Sequence, residues 1–331
     1  MNIKVMHNSK IKHTFLQRLK KGLIFLHNNG ASKTIAKIKE KAFNKTSKSK
    51  NYEYYIALPP SRYKKELCIW YRKETGKRLN LRNPQTYNEK IQWLKLYDTT
   101  QLKTQLADKK QVRKWVARKI GNEYLIPILG TWDSLDEINF QLLPEQFVLK
   151  CNHGCGWNLI VKDKSKMDFN AAKAKFNRWL STNFAFKYGF ELQYKDIQPC
   201  IIAEKYINNS DGDLHDYKFW CFEGEVKYIM YLSERNISHL KMTFYSIDWV
   251  PLNISYNYEK HLSPAPKPSN LDEMLNIAKV LSAGFHFVRV DLYVLDDGII
   301  KFGEMTFTPY SGVCRWNPPE ADAMLGKLIA L

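Results

Sequence analysis

Hydrophobic and polar positions change their period along this chain, and the changes mark out its elements. Over residues 287–295 they alternate: Val288, Val290, Leu292 and Val294 fall on one face, and Phe287, Arg289, Asp291 and Tyr293 on the other. That is the period-two signature of a strand with one buried face. Asp297-Gly298 follows. It is a strong hairpin signal, because both central residues of a type I′ turn need positive φ. Residues 299–307 are the predicted returning strand. A two-residue loop pairs Asp296 with Ile299 and, counting outward, Asp291 with Glu304. A three-residue loop would shift the register by one and send the two acids to opposite faces.

Upstream, the apolar spacing predicts helices over residues 63–76, 87–97 and 105–120, broken at Asn83-Pro84 and Gly121-Asn122. Asp108-Lys109 opens the third of these, and Trp70, Tyr71, Trp93 and Trp115 read as core. Residues 147–150 and 159–162 read as strands around a glycine-containing tip, residues 168–187 as a helix and 201–207 as a strand. Residues 216–231 form a predicted hairpin turning at Glu223-Gly224, with Asp216, Lys218, Trp220 and Phe222 on one face. Further strands lie within 240–256, and Pro264, Pro266 and Pro268 make a stiff loop. A helix over 270–284 takes Asn270 as its cap, and Pro318 and Pro319 begin the last helix. There is no internal repeat.

At 331 residues the chain is long enough for two or three lobes, and 44% hydrophobic content is ordinary for a globular protein. No apolar run approaches the ~18 residues of a membrane span. The short apolar patch at 23–26 falls below the ~7 residues of a signal-peptide core, so the expected location is cytoplasmic. The six cysteines are scattered; only Cys151 and Cys155 are close, which predicts reduced thiols in place of a zinc set.

The net charge of +18 is uneven: residues 1–50 hold 13 Lys/Arg against the single acid Glu40. Ile11, Phe15, Leu19 and Leu23 recur every four residues among Lys10, Lys12, Arg18, Lys20 and Lys21. Such a basic amphipathic helix suits the headgroup region of an anionic membrane, here through residues 1–30. Nucleic acid attracts the same charge, though the apolar stripe fits a bilayer surface better than a groove. A helix packed on the domain is the third option.

The candidate chemistry lies in two places. Directly paired residues hold their Cβ atoms about 4.5–5.5 Å apart, so Asp291 and Glu304 would repel unless a hard divalent cation joins them. The alternatives are a solvated charged face, or neutralisation of Asp291 by Arg289. The second place is the tip at residues 151–157, with Lys150 at its base. Small residues let backbone N–H groups approach phosphate oxygens, and the ammonium supplies charge. It is no P-loop, because no GK[ST] follows.

The order of helical region, glycine-tipped hairpin, helix, strand with EKYI, hairpin, helix and final hairpin with Asp…Glu resembles the ATP-grasp superfamily over residues 105–312. Within it the chain is most similar to the branch named for teichuronopeptide biosynthesis (TupA-like). The resemblance implies an α+β fold: two α+β lobes clasping ATP, preceded by a helical domain and the basic arm. The implied domains are 1–50, 51–130, 131–207 and 208–331. It implies that Lys109, Lys150 and Lys218 face the phosphates, and that the loop Asn152, His153, Gly154 and Gly156 covers them, with His153 either at the γ-phosphate or solvated. Lys205 and Ile207 would offer backbone contacts to adenine and Glu204 a side-chain contact. Asp291 and Glu304 correspond to the Mg²⁺ carboxylates. Thr306 stands where the family motif usually carries asparagine, and the covering loop is short.

The implied activity is ATP-dependent ligation: a carboxylate is phosphorylated to an acylphosphate, and an amine displaces the phosphate. Arg289 would hold the acylphosphate or the acceptor carboxylate, or pair with Asp291 or Glu304. The implied substrates are a carboxylate-bearing saccharide, such as a uronic acid of a capsule or wall precursor, and an amino acid or amine. A phosphotransferase or glycosyltransferase on the same fold is the first rival, and a non-enzymatic membrane- or nucleic-acid-binding protein the second.

Overall fold

The computed structural model describes residues 52–233 and 240–331. The chain divides into two units, Met1–Ala57 and Leu58–Leu331. The basic amphipathic stripe expected in residues 1–50 lies outside the described residues; the described part of the first unit includes the short helix α1 (Tyr52–Ile56).

The second unit opens with α2 (Tyr63–Thr75), α3 (Tyr87–Tyr97), α4 (Gln101–Ala107) and α5 (Val112–Lys119). Strands β1 (Ile128–Trp132), β2 (Phe147–Cys151) and β3 (Asn158–Val161) follow, then α6 (Phe169–Leu180) and β4 (Ile201–Lys205). The remaining elements are β5 (His215–Phe222), β6 (Glu225–Ser233), β7 (Lys241–Tyr245), β8 (Ser255–Tyr256), α7 (Leu271–Ser282), β9 (Phe287–Val294), β10 (Ile300–Thr306), β11 (Trp316–Asn317) and α8 (Ala321–Gly326). Two antiparallel sheets result, ordered β1-β4-β2-β3 and β10-β9-β5-β6-β7, with β8 and β11 as a separate pair. Among the described residues no helix is long and apolar enough to cross a membrane.

Strand alternation gives the five-stranded sheet two buried faces. Tyr217, Phe219 and Cys221 join Val288, Val290 and Leu292 under Met274, Ile277 and Leu281 of α7. Trp220, Phe222 and Phe287 face the other way, against Tyr87, Ile91 and Leu94 of α3 and Leu325 of α8. Burying each such side chain contributes about 1.5–3 kcal/mol. A capping box starts α3: the Thr86 hydroxyl accepts from the Glu89 N–H and the Glu89 carboxylate from the Thr86 N–H, together worth about 1 kcal/mol or more. Tyr71 is fully buried, as expected of core, but Trp70, Trp93 and Trp115 are only half-buried.

Several expectations need correction. The helix expected over 105–120 is two helices, α4 and α5, because Asp108 caps the end of the first in an extended conformation. The helix after Asp168 stops at Leu180, and the EKYI strand stops at Lys205. Asn270 makes no side-chain cap; its amide donates to the Gly298 carbonyl at 2.9 Å. Helix α8 starts at Ala321, one turn beyond Pro318, whose carbonyl accepts from the Ala321 N–H at 3.1 Å.

The final hairpin departs most informatively. Leu295 N–H donates to the Ile299 carbonyl at 3.0 Å, leaving a three-residue loop, Asp296-Asp297-Gly298, in which Gly298 alone has positive φ, at 78°. This is the turn-plus-left-handed-glycine loop, not type I′. Val294 therefore pairs with Ile300, a register that taken alone would set Asp291 opposite Gly303. A β-bulge between Phe302 and Glu304 inserts one residue and restores Asp291 opposite Glu304. The expected pairing is present, reached through two compensating shifts.

Candidate active site

Three adjacent strands line up one row of charge. Lys218 of β5 pairs with Asp291 of β9, and Asp291 pairs with Glu304 of β10. In the next row Arg289 pairs with Thr306. The Arg289 guanidinium grips Asp291 with both prongs, Nε to Oδ1 and Nη2 to Oδ2, each at 2.7 Å. Nη2 also reaches Glu304 Oε1 at 3.3 Å and Thr306 Oγ1 at 3.1 Å. Lys218 Nζ donates to Asp291 Oδ2 and stands 2.7 Å from Asp216 Oδ2. The Thr306 hydroxyl donates to Glu304 Oε1 at 2.9 Å. Like charges on neighbouring strands are tolerated because cations interleave with them.

Lys109 brings the other sheet's loop to this row. The break between α4 and α5 aims it: Asp108 Oδ1 accepts from the Lys110 N–H at 2.8 Å and from Asn152 Nδ2 at 3.0 Å. The Lys109 N–H donates to the Asn152 carbonyl at 3.1 Å. Its Nζ then donates to the Gly154 carbonyl and lies 3.8 Å from Glu304 Oε2. An uninterrupted helix would have pointed this lysine elsewhere.

Within the loop, Asn152 and His153 are both 1% exposed. Asn152 Oδ1 accepts from the Cys200 N–H at 2.7 Å, and its Nδ2 also donates to the Gln198 carbonyl at 2.9 Å. His153 Nε2 sits 3.1 Å from the Trp179 carbonyl, its ring edge against Trp157. The expected solvated or phosphate-facing histidine is thus a buried one that pins the loop to α6, and burial lowers its pKa. Gly154 is required by packing: a Cβ there would meet Trp157 and Phe184 at 2.7 and 2.8 Å. Gly156 has a φ of 71° with open space around it.

A second ion cluster lies across the two central strands of the four-stranded sheet. Lys150 Nζ contacts Glu204 Oε2, while Arg113 Nη1 reaches Glu204 Oε1 at 3.4 Å and Nη2 donates to the Ile126 carbonyl at 2.6 Å. Lys205 donates its backbone N–H to the Pro127 carbonyl at 2.9 Å, so that amide is taken; Ile207 follows the strand, half-buried. Lys109, Gly154, Lys218, Arg289, Asp291, Glu304 and Thr306 therefore form one network, and Lys150 with Glu204 a second. Arg113 and Asp216 were missed as participants. Asp216 had a signal, two residues before Lys218 on the same strand face; Arg113 had none, because its partner is 91 positions away.

Burial would raise the Glu304 carboxyl, but Lys109, Arg289, Lys218 and the Thr306 hydroxyl overcome it and hold the group at about 2. Burial pushes Asp291 up against the pull of Arg289 and Lys218. Asp291 and Glu304 raise Arg289 despite its burial, so it remains charged. The donor set of Asp291, Glu304 and Thr306 is all oxygen, and Glu304 Oε2 lies outside the reach of Arg289's hydrogen bonds. Such oxygens are what a hard divalent cation takes; Glu304 Oε2 is the open one, and a cation reaching Asp291 would have to share oxygens now held by Arg289 and Lys218. Among the described residues no group of three or more His, Cys, Asp or Glu could hold a metal; Mg²⁺ is commonly bound by one or two carboxylates together with phosphate oxygens.

A family model described as TupA-like ATPgrasp matches residues 89–330. No curated protein matches the sequence. Among solved structures the chain is similar to the L-amino acid ligase from Bacillus licheniformis, with 14% identity, a TM-score of 0.42, and coverage of 68% of this chain and 50% of that one. It is similar to the ADP complex of purK, N5-carboxyaminoimidazole ribonucleotide synthetase, at 13% identity and TM-score 0.40, covering 66% and 50%. A third is macrocyclase MdnC bound with precursor peptide MdnA from Microcystis aeruginosa MRC, at 13% and 0.35, covering 68% and 62%. The chain spans about half the length of the first two structures.

Proposed function

The chain belongs to the TupA-like ATP-grasp family, and from that premise we propose that it is an ATP-dependent carboxylate–amine ligase working through an acylphosphate. The observation that carries the reading is the convergence of Lys109, Lys218 and Arg289 on the register-paired carboxylates Asp291 and Glu304. In such a ligase a substrate carboxylate oxygen bonds to the γ-phosphorus as ADP leaves. An amine nitrogen then bonds to the acyl carbon, losing a proton as phosphate departs.

Little covalent work falls to the protein, so its residues act by charge and alignment. Lys109, tied to both the loop and Glu304, closes the loop over the phosphates. Lys150 would exchange its contact with Glu204 for a phosphate oxygen, with Arg113 keeping Glu204 neutralised. Lys218 and Arg289 stabilise charge on the transferred group, Arg289 from a guanidinium fixed by Asp291. Mg²⁺ held by Asp291 and Glu304, with the Thr306 hydroxyl beside them, would neutralise the phosphates. The Lys205 carbonyl and the Ile207 backbone are the groups left to meet adenine.

The acceptor we propose is a uronic acid or similar carboxylate of a surface-polysaccharide precursor, joined to an amino acid or amine. The charge of residues 1–50 supports work at an anionic membrane surface.

The test is calorimetric titration of ATP with Mg²⁺ into wild type and into the double variant Asp291→Asn, Glu304→Gln. Metal-dependent binding lost in the double variant is expected, followed by phosphate release when uronic acids are screened with amines. A wild type that binds no nucleotide would sink the ligase reading. Phosphate retained on the acceptor would make it a kinase.

A further inference from the structure

Beyond Thr306 the chain enters a loop in which three successive residues are left-handed: Tyr310, Ser311 and Gly312, at φ 49°, 54° and 66°. Two of them carry side chains, which disfavour that conformation, so the surroundings must impose it. They do so with a fully buried cation. Lys95, on α3 and 1% exposed, donates from Nζ to the Ser311 carbonyl at 2.6 Å and the Ser311 hydroxyl at 2.8 Å. It also donates to the Gly189 carbonyl at 3.0 Å, in a second left-handed pair, Gly189-Phe190. Gln92, one turn earlier, donates from Nε2 to the Ser311 and Gly312 carbonyls at 3.0 and 2.7 Å. A Trp70 ring 4.8 Å away covers the ammonium. Thr308, at the loop's start, contacts Glu191 and accepts from Gln193 Nε2 at 2.8 Å. The loop presents half-exposed Tyr310, whose hydroxyl donates to that of Tyr258 at 3.1 Å.

We propose that Lys95 is a positioning residue: its ammonium, with the Gln92 amide, clamps the Thr308–Gly312 loop in a conformation it would not hold alone, and so shapes the acceptor end of the site. Lys95 sits in the last turn of α3, which carries it to these carbonyls. The acceptor half of this inference rests on the ligase reading; the clamp does not.

The test is hydrogen exchange on the full chain, wild type against Lys95→Met and Gln92→Met. It is run at pH 6, because burial lowers the Lys95 pKa to about 7 against the pull of Glu191. Exchange in a peptide covering residues 307–313 should rise at least tenfold in Lys95→Met, less in Gln92→Met, while peptides from β5 and β9 stay as in wild type. With glucuronate as carboxylate probe, its KM should rise about tenfold while Mg·ATP affinity holds. Unchanged exchange at 307–313, or a rise spread evenly over both sheets, overturns the clamp. Should Lys95→Met not fold, Gln92→Met decides. If wild type binds no ATP, the ligase reading fails and the exchange data still judge the clamp.

Discussion

The two sheets place charge in opposite ways. Across the central strands of the four-stranded sheet, Lys150 forms an ion pair with Glu204 and is 20% exposed, with Arg113 arriving from a helix. On the five-stranded sheet, Asp291 is 1% exposed beneath a two-pronged Arg289 and a lysine, and only Glu304, at 29%, opens outward. The first is a loose pair whose members can exchange partners when phosphate arrives. The second is a densely hydrogen-bonded cluster whose most open carboxylate, Glu304, lies 3.8 Å from Lys109. On the ligase reading proposed above, the loose pair would meet a nucleotide phosphate, and the tight cluster would hold Mg²⁺ and align the reacting group.

The sharpest way to break that contrast is Arg289→Met. It leaves Asp291 buried with half its counter-charge, and ligase turnover should fall about 10²–10³-fold, measured as phosphate release, with the Mg·ATP dissociation constant moving far less. Equal losses in both would erase the division of labour. Next comes Gly303→Val at the bulge, where a Cβ would stand 3.1 Å from the Asp291 carbonyl oxygen and from the Tyr293 ring. Overpacking should cost about 1–3 kcal/mol in urea unfolding and weaken Mg·ATP binding by misaligning Glu304; full affinity would show that the bulge does not set the register.

Arg113→Met should act on the loose pair alone. Losing its bonds to Glu204 and Ile126 should destabilise by about 1–2 kcal/mol and change ATP affinity a few-fold, with maximal turnover unchanged at saturating ATP. The smallest effect is at His153. Its folded pKa lies below the ordinary 6.5, so the unfolded chain takes up the proton first. Stability is full above pH 6.5 and declines as pH falls toward the folded pKa, by at most about 1.4 kcal/mol per unit. His153→Gln should flatten that slope in acid-dependent unfolding; an unaltered slope would place the titrating group elsewhere.

Legibility in the sequence followed distance along the chain. The period-two runs gave β5, β6, β9 and β10 within a residue or two, and the glycine-tipped hairpin was visible from its strands and turn residues. Lys95 was half visible: four positions after Ile91 and eight after Tyr87, it falls on the buried stripe of α3. The break at Asp108 was only half visible: its carboxylate accepts from the Lys110 and Gln111 N–H groups as a local cap does, while a third bond comes from Asn152, 44 residues away. The sequence argument for the hairpin reached Asp291 opposite Glu304 through a wrong turn type; the right turn needed a bulge that no local pattern announced.

What the sequence by itself determined, then, is local and periodic: which segments are strands and helices, which faces are apolar, and which carboxylates and lysines sit near glycine-rich turns. Those follow from side-chain spacing against a regular backbone. The tertiary structure alone decided which distant cations meet Asp291, Glu304 and Glu204, that His153 and Asn152 are buried, and that a buried lysine from α3 bonds to Ser311 beyond Thr306. Apart from the Arg289–Asp291 and Lys218–Asp216 pairs, each two residues apart on one strand face and so open to a sequence reading, these are contacts between residues far apart in sequence, set by packing of whole elements.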